Sequence, residues 1–173
     1  LPIYIFMETE NLSPHSNDRL NTELNEVEKM DKNSVRLEFP ENNNKLKFFV
    51  YIKVSEGLYK GKWFKFSFTI PNDWPHYQPK VLIVTKIWHP NIGLVKDEHS
   101  DFGVVSISVL ANNYHSNITL KEIIESIQFV LINPNPKNAQ NPNAASEQEN
   151  DNEAYESHVN QYLNEMVDYD IKD

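Results

Sequence analysis

The sequence predicts an α+β fold: an N-terminal helix, a four-stranded antiparallel meander and two helices at the C-terminal end. Three observations predict it. Leu20, Leu24 and Val27 recur at steps of four and three, which is one face of an amphipathic helix. Three segments then alternate apolar and polar residues with period two, each bounded by Gly, Pro or Asn, as in strands with one buried face. Two helical patterns follow a long stretch of little periodicity. Strands and helices segregated in this way belong to α+β, not to a doubly wound parallel sheet.

Each element has its own warrant. Residues 1–16 read as a flexible extension, 17–167 as the folded domain and 168–173 as an acidic, solvated tail. The apolar opening from Leu1 to Met7 is too short for a signal-peptide core and has no basic residue before it; it reads as a frayed end. The first helix takes Ser16 or Asn17 as N-cap and closes at Asp31 to Asn33. Val35-Leu37-Phe39, then Leu46-Phe48-Val50-Ile52-Val54, then Phe64-Phe66-Phe68-Ile70 are the first three strands. Pro71, Pro75 and Pro79 cannot donate to a ladder, so 71–79 is a loop. Val81 to Val84 is a short fourth strand. Residues 89–118 read as a long irregular region, and connections of that length in a compact domain are usually functional. Thr119-Leu120-Lys121-Glu122 reads as a capping box, opening a helix whose stripe is Leu120, Ile123, Ile124, Ile127 and Leu131. Pro134 and Pro136 end it, Asn135 to Asn143 is a polar loop, and a last helix runs from Asn152 to Met166.

Composition narrows the function classes. The chain has 173 residues, 39% hydrophobic, enough for one packed core. Its 16 basic against 25 acidic residues give a net charge of −9. That balance argues against a nucleic-acid or anionic-membrane partner and suits a basic protein surface. The absence of cysteine removes a disulfide framework, a thiolate metal site and a thiol nucleophile, and a cytoplasmic or nuclear setting is expected. The six histidines lack a paired His-x-x-x-His spacing, so no metal site and no cofactor are expected.

The run Trp88-His89-Pro90-Asn91-Ile92, followed by Gly103-Val104-Val105-Ser106-Ile107-Ser108-Val109-Leu110, resembles the active-site stretch of the ubiquitin-conjugating enzymes. In that family a His-Pro-Asn turn precedes Gly-x-Val-Cys-Leu-x-Ile-Leu. Further runs resemble the family in the same order: Glu56-Gly57-Leu58-Tyr59-Lys60-Gly61-Lys62-Trp63, then Pro71-Asn72-Asp73-Trp74-Pro75-His76-Tyr77-Gln78-Pro79-Lys80-Val81. Asn133-Pro134-Asn135-Pro136 with Asn141, Ala144 and Ala145 completes them. Thr85 to Ile92 and the Asn-Pro-Asn-Pro run lean toward the neddylation branch. The resemblance implies the ubiquitin-conjugating fold. It also implies a transferase that takes a ubiquitin-like modifier from an activating enzyme and passes it to a substrate lysine with a ligase.

By this resemblance Ser106 stands at the acyl-carrying cysteine. Asn91 stands at the position that either donates to the oxyanion or stabilises the turn, and His89 is a hydrogen-bonded turn residue. The family's acidic residue beside the site maps to Asn138, and an amide cannot supply its charge. Ile70, Trp74, Tyr114 and Ser116 fall on the implied ligase face, and the first helix on the activating-enzyme face. A serine hydroxyl needs an adjacent general base, and an oxyester is a poorer acyl donor than a thioester, so Ser106 is expected to trap or to be inactive. The insertion between Asn91 and Ser106, Lys96 to Asp101, is polar. A Ser-His-Asp hydrolase from Ser106, His89 or His99, and Asp101 is disfavoured because no Gly-x-Ser-x-Gly elbow is present. A single Cys-to-Ser replacement would not also alter Asn138, Tyr114 and Ser116. That clustering favours natural divergence, and the alternative function is a catalytically dead module that binds a modifier or a conjugating partner noncovalently.

Overall fold

The computed structural model describes residues 12–41, 44–94, 103–167 and 169. Among these residues the elements run in the order α1 (Pro14–Glu28), β1 (Val35–Glu38), β2 (Lys47–Lys53), β3 (Trp63–Thr69), β4 (Lys80–Ile83), β5 (Ile92–Leu94), β6 (Gly103–Val105), α2 (Ser108–Ala111), α3 (Leu120–Ile132), a 3-10 turn (Pro136–Asn138), α4 (Pro142–Asn150) and α5 (Asn152–Glu165). The α+β class and the flanking helices agree with expectation.

Among the described residues the sheet has six strands rather than four, in the antiparallel order β1-β2-β3-β4-β6-β5. The two additions lie inside the stretch expected to be irregular. Each has three residues, too few to display a period. Ile92 and Val105 face each other across the pair and are both buried. Gly103 has to be small there, because a Cβ would lie 2.8 Å from the Gly93 carbonyl and 2.9 Å from an Ile83 methyl.

The inner face of the sheet carries Phe48, Val50 and Ile52 of β2, Phe64, Phe66 and Phe68 of β3, and Val81 and Ile83 of β4, all buried. Phe48 and Phe68 are register partners whose rings stack at 5.3 Å, the cross-strand pairing that stabilises sheets. Leu20, Leu24 and Val27 of α1 and the predicted α3 stripe join the same core. Trp63 is half-buried at the start of β3.

The helices differ from expectation in three places: α1 starts earlier, and α2, inside the stretch expected to be irregular, and α4 are additions. α1 begins at Pro14, with Ser13 as N-cap accepting from the Ser16 amide at 3.2 Å. Proline at the first helical position loses only an amide that would have no intrahelical partner, so 14–16 is helix and not lead. α4 was not expected inside the Asn/Pro region. Its buried face is only Ala144 and Ala145, which give no apolar period, although Asn141 at the N-cap and Pro142 after it were legible start signals. The capping box of α3 is formed as predicted, Glu122 N–H donating to Thr119 Oγ1 at 3.2 Å and Thr119 N–H to Glu122 Oε2 at 2.7 Å.

Candidate active site

The site is assembled where the 88–91 turn, the end of β6, α3 and the 133–141 loop meet. Pro134 explains the first contact. As a proline it has no N–H to offer the carbonyl of Val130, four residues earlier in α3. His89 Nε2 fills that place at 3.1 Å, while His89 Nδ1 accepts from the Asn91 amide at 3.0 Å. These bonds require the neutral tautomer with its proton on Nε2. Full burial of the ring disfavours the imidazolium and pulls His89 down to about 4. His89 is thus a turn residue with both nitrogens engaged.

Asn91 is 1% exposed and spends its whole side chain on the loop. Its amide donates to the Asn135 carbonyl at 2.9 Å and the Asn138 carbonyl at 3.2 Å, and its oxygen accepts from the Asn135 amide at 2.8 Å. Both N–H bonds are used, which leaves no donor free toward residue 106. Of the two readings open from sequence, this geometry is that of a turn-stabilising amide. The Pro90 carbonyl adds two bonds, from the Gln140 and Asn141 amides at 2.8 and 2.9 Å.

Ser106 follows β6 directly and is half-buried. Its amide donates to the Asn91 carbonyl at 2.9 Å, so the residue is positioned by the turn that also holds the loop. It lines an open groove of about 930 Å³, together with Asn91, Ser108, Glu125, Phe129 and Asn138. Asn138 is exposed in the 3-10 turn and brings an uncharged side chain to the groove. Residues 133–141 contain no carboxylate. His99 and Asp101, the other members of the disfavoured hydrolase triad, lie outside the described residues.

The expected ligase-face residues divide. Ile70 and Trp74 are 3% and 1% exposed, so their side chains are core and cannot themselves meet a partner. Ile70 directly follows β3, and Trp74 lies in the loop after it. Tyr77, 66% exposed, is the large side chain this loop presents. Tyr114 is half-buried and ties the two loops together, its hydroxyl donating to the Pro75 carbonyl at 2.9 Å. Ser116 contributes its carbonyl, an acceptor for Arg19.

Three sets of bonds that tie elements together were missed in the sequence. Arg19 of α1 donates to the Ser116 carbonyl and, at 3.2 Å, to that of Ile118, and its guanidinium lies 4.9 Å from the Trp74 ring centroid. Glu23 pairs with Arg19 at 2.7 Å and accepts the Leu120 amide at 2.8 Å. Trp88 donates its indole N–H to Glu147 Oε2 at 2.8 Å, and His158 Nδ1 lies 3.0 Å from the same oxygen. Arg19 and Glu23 stand four residues apart on α1, a spacing legible as a helix pair; their bonds to residues 116–120 and the Trp88–Glu147 bond join distant segments and left no local signal. Phe129, 66% exposed beside the groove, was legible, since it falls off the α3 stripe. Among the described residues there is no cluster of three His, Asp or Glu arranged for a metal ion, and no helix long and apolar enough to cross a membrane.

Comparison with known proteins bears on this geometry. The family model described as ubiquitin-conjugating enzyme matches residues 19–163. The Nedd8-conjugating enzyme UbcE2M of Drosophila melanogaster is 29% identical over 141 residues, covering 82% of this chain and 73% of the fly protein. The NEDD8-conjugating enzyme ubc12 of Schizosaccharomyces pombe is 33% identical over 108 residues, 62% of this chain and 57% of the yeast protein. A Plasmodium yoelii structure, solved as a candidate ubiquitin conjugating enzyme, superposes with a TM-score of 0.78 at 28% identity, covering 92% of this chain and 99% of that one. The E2 domain of a Toxoplasma gondii ubiquitin conjugating enzyme shares the fold, with a TM-score of 0.75 at 24% identity over 87% of this chain and 98% of that one.

Proposed function

The chain belongs to the ubiquitin-conjugating enzyme family, and from that premise we propose that it acts in conjugation of a ubiquitin-like modifier of the Nedd8 type, in the cytoplasm or nucleus. The observation that carries the reading is the groove. Residue 106 lines it between α3 and the 133–141 loop, open enough for an extended C-terminal segment of a modifier, and the 88–91 turn holds residue 106 and the loop at once. An activating enzyme would deliver the modifier to position 106, and a ligase and a substrate lysine would complete the transfer.

As written, the chain traps or is inactive in this role. A serine needs a base to become a nucleophile. His89 is buried, neutral and bonded at both nitrogens, residues 133–141 offer no carboxylate, and of the two carboxylates lining the groove Glu122 is engaged by Thr119 and Glu125 pairs with Lys121. The same observation favours a second reading: a catalytically dead member that keeps the groove and the loop face as a noncovalent binding surface.

A charging assay separates the two. This chain and its Ser106→Cys variant are incubated with activating enzyme, ATP and either ubiquitin or the Nedd8-type modifier. A reductant-sensitive adduct on the cysteine form, with a stable adduct or none on the serine form, supports conjugation and identifies the modifier. No adduct on either form leaves the binding module.

A further inference from the structure

The outer face of the sheet is opposite in charge to the chain that carries it. Its side chains alternate with the buried rows of β2 and β3. By register they bring together Arg36, Lys47, Lys53, Lys65 and Lys80 against Glu38. Glu38 is engaged within the face, accepting from Lys65 Nζ at 3.1 Å and from the Tyr51 hydroxyl. The other cations therefore give a basic face to a chain of net charge −9. The face is also aromatic: Lys65 Nζ lies 3.9 Å from the Phe49 ring centroid and Lys53 Nζ 5.7 Å from that of Trp63. Beyond α5, which ends at Glu165, the chain reaches this face at Tyr169. The Tyr169 ring meets Tyr51 edge-on, with centroids 5.2 Å apart and planes at 75°. Its hydroxyl lies 2.9 Å from Thr85 Oγ1, on a buried threonine whose oxygen also accepts from the Lys65 amide at 2.9 Å.

We propose that the outer sheet face is a docking surface for an acidic, aromatic segment, and that its occupant is this chain's own C-terminal segment, residues 168–173, latched by Tyr169. Two independent observations carry this: the seated Tyr169 ring, and the match of charge. Asp168 and Asp170 flank the tyrosine and Asp173 ends the chain, against Lys172, so the segment is acidic where the face is basic. The two observations do different work. An edge-to-face ring pair and a hydroxyl bond need close contact, so they fix position. Charge attraction acts out to about 8 Å at physiological salt and holds the segment near while the ring seats. A protein partner then reaches Tyr51 and Thr85 only by displacing the tail, which makes the segment a competitive guard of the face. The inference is independent of the chemistry at position 106.

The test uses the full chain, whose lack of cysteine lets Asp173→Cys carry a nitroxide label at one place. Paramagnetic broadening of amide signals falls steeply with distance from the label. The expected result is strong broadening at Tyr51, Lys53 and Lys65, with Leu20 and Leu24 of α1, across the sheet, left sharp. Adding Tyr169→Ala lowers the broadening roughly tenfold, through loss of the ring pair and the hydroxyl bond. Raising salt to about 0.5 M weakens it, as does Lys53→Glu with Lys80→Glu at an unchanged melting midpoint. An excess of free peptide with the sequence of residues 168–173 removes it by competition. Broadening that is equal on the two sides of the sheet, or indifferent to Tyr169→Ala, overturns the inference. So does broadening seen only between a labelled chain and a second, isotope-enriched copy, which would seat the tail on another molecule.

Discussion

Replacing Asn91 by alanine removes three hydrogen bonds at once, those to the Asn135 carbonyl, the Asn138 carbonyl and the Asn135 amide. At 1% exposure the vacated volume is closed to bulk water. Each bond contributes about 1 kcal/mol net, which sums to roughly 3 kcal/mol. Asn135 and Asn138 are exposed, so hydration of the freed carbonyls lowers the expected loss to about 2–3 kcal/mol. For a domain of this size 1 kcal/mol moves the midpoint by about 2–4 °C, giving a fall of roughly 4–12 °C. Thermal melting by circular dichroism measures it, and hydrogen exchange should place the loosening at the Asn135 amide. Asn91→Asp keeps the acceptor for the Asn135 amide but aims a carboxylate at two carbonyl oxygens, so its deficit should grow as pH rises and the carboxyl ionises. A midpoint change under about 1 °C for Asn91→Ala would refute the reasoning. A large loss of transfer activity in the Ser106→Cys background with an unchanged midpoint would instead make Asn91 an oxyanion donor.

Three further outcomes are expected. His89 sits at about 4 because burial disfavours its charged form, against about 6.5 in the unfolded chain. Its contribution to stability is complete above pH 6.5 and lost as pH falls toward 4, at about 1.4 kcal/mol per unit and roughly 3 kcal/mol in all. Urea unfolding between pH 7.5 and 4 should therefore show a shallower acid loss for His89→Gln, and parallel curves would contradict this. Arg19→Ala leaves Glu23 without its cation and two carbonyls without a donor. It should cost about 2–4 kcal/mol, with faster hydrogen exchange over residues 116–120. Thr119→Ala removes one half of the capping box and should cost about 1 kcal/mol, read as a lower urea midpoint at unchanged slope.

The features legible in the sequence are those made by residues close together in the chain. The Thr119–Glu122 capping box is closed within one helical turn, and the stripe from Leu120 to Leu131 recurs with the helical period. Phe64, Phe66 and Phe68 alternate with polar neighbours because one sheet face is core. The turn at 88–91 and the place of Ser106 were legible as well, through motifs that tie residue types to one backbone shape. Pairings across long separations decided the rest. β5 and β6 exist because Leu82 and Ile83 offer an edge to Val104 and Gly103, and three-residue strands have no pattern of their own. Trp74 sits in a loop by sequence, yet it is buried, with the Arg19 guanidinium of α1 4.9 Å from its ring centroid and bonded to the Ser116 and Ile118 carbonyls. An asparagine side chain is the same donor and acceptor wherever it points. That Asn91 turns to the 133–141 loop, and so brings it to the groove of Ser106, follows from tertiary packing, which alone determines which backbone groups are left without partners.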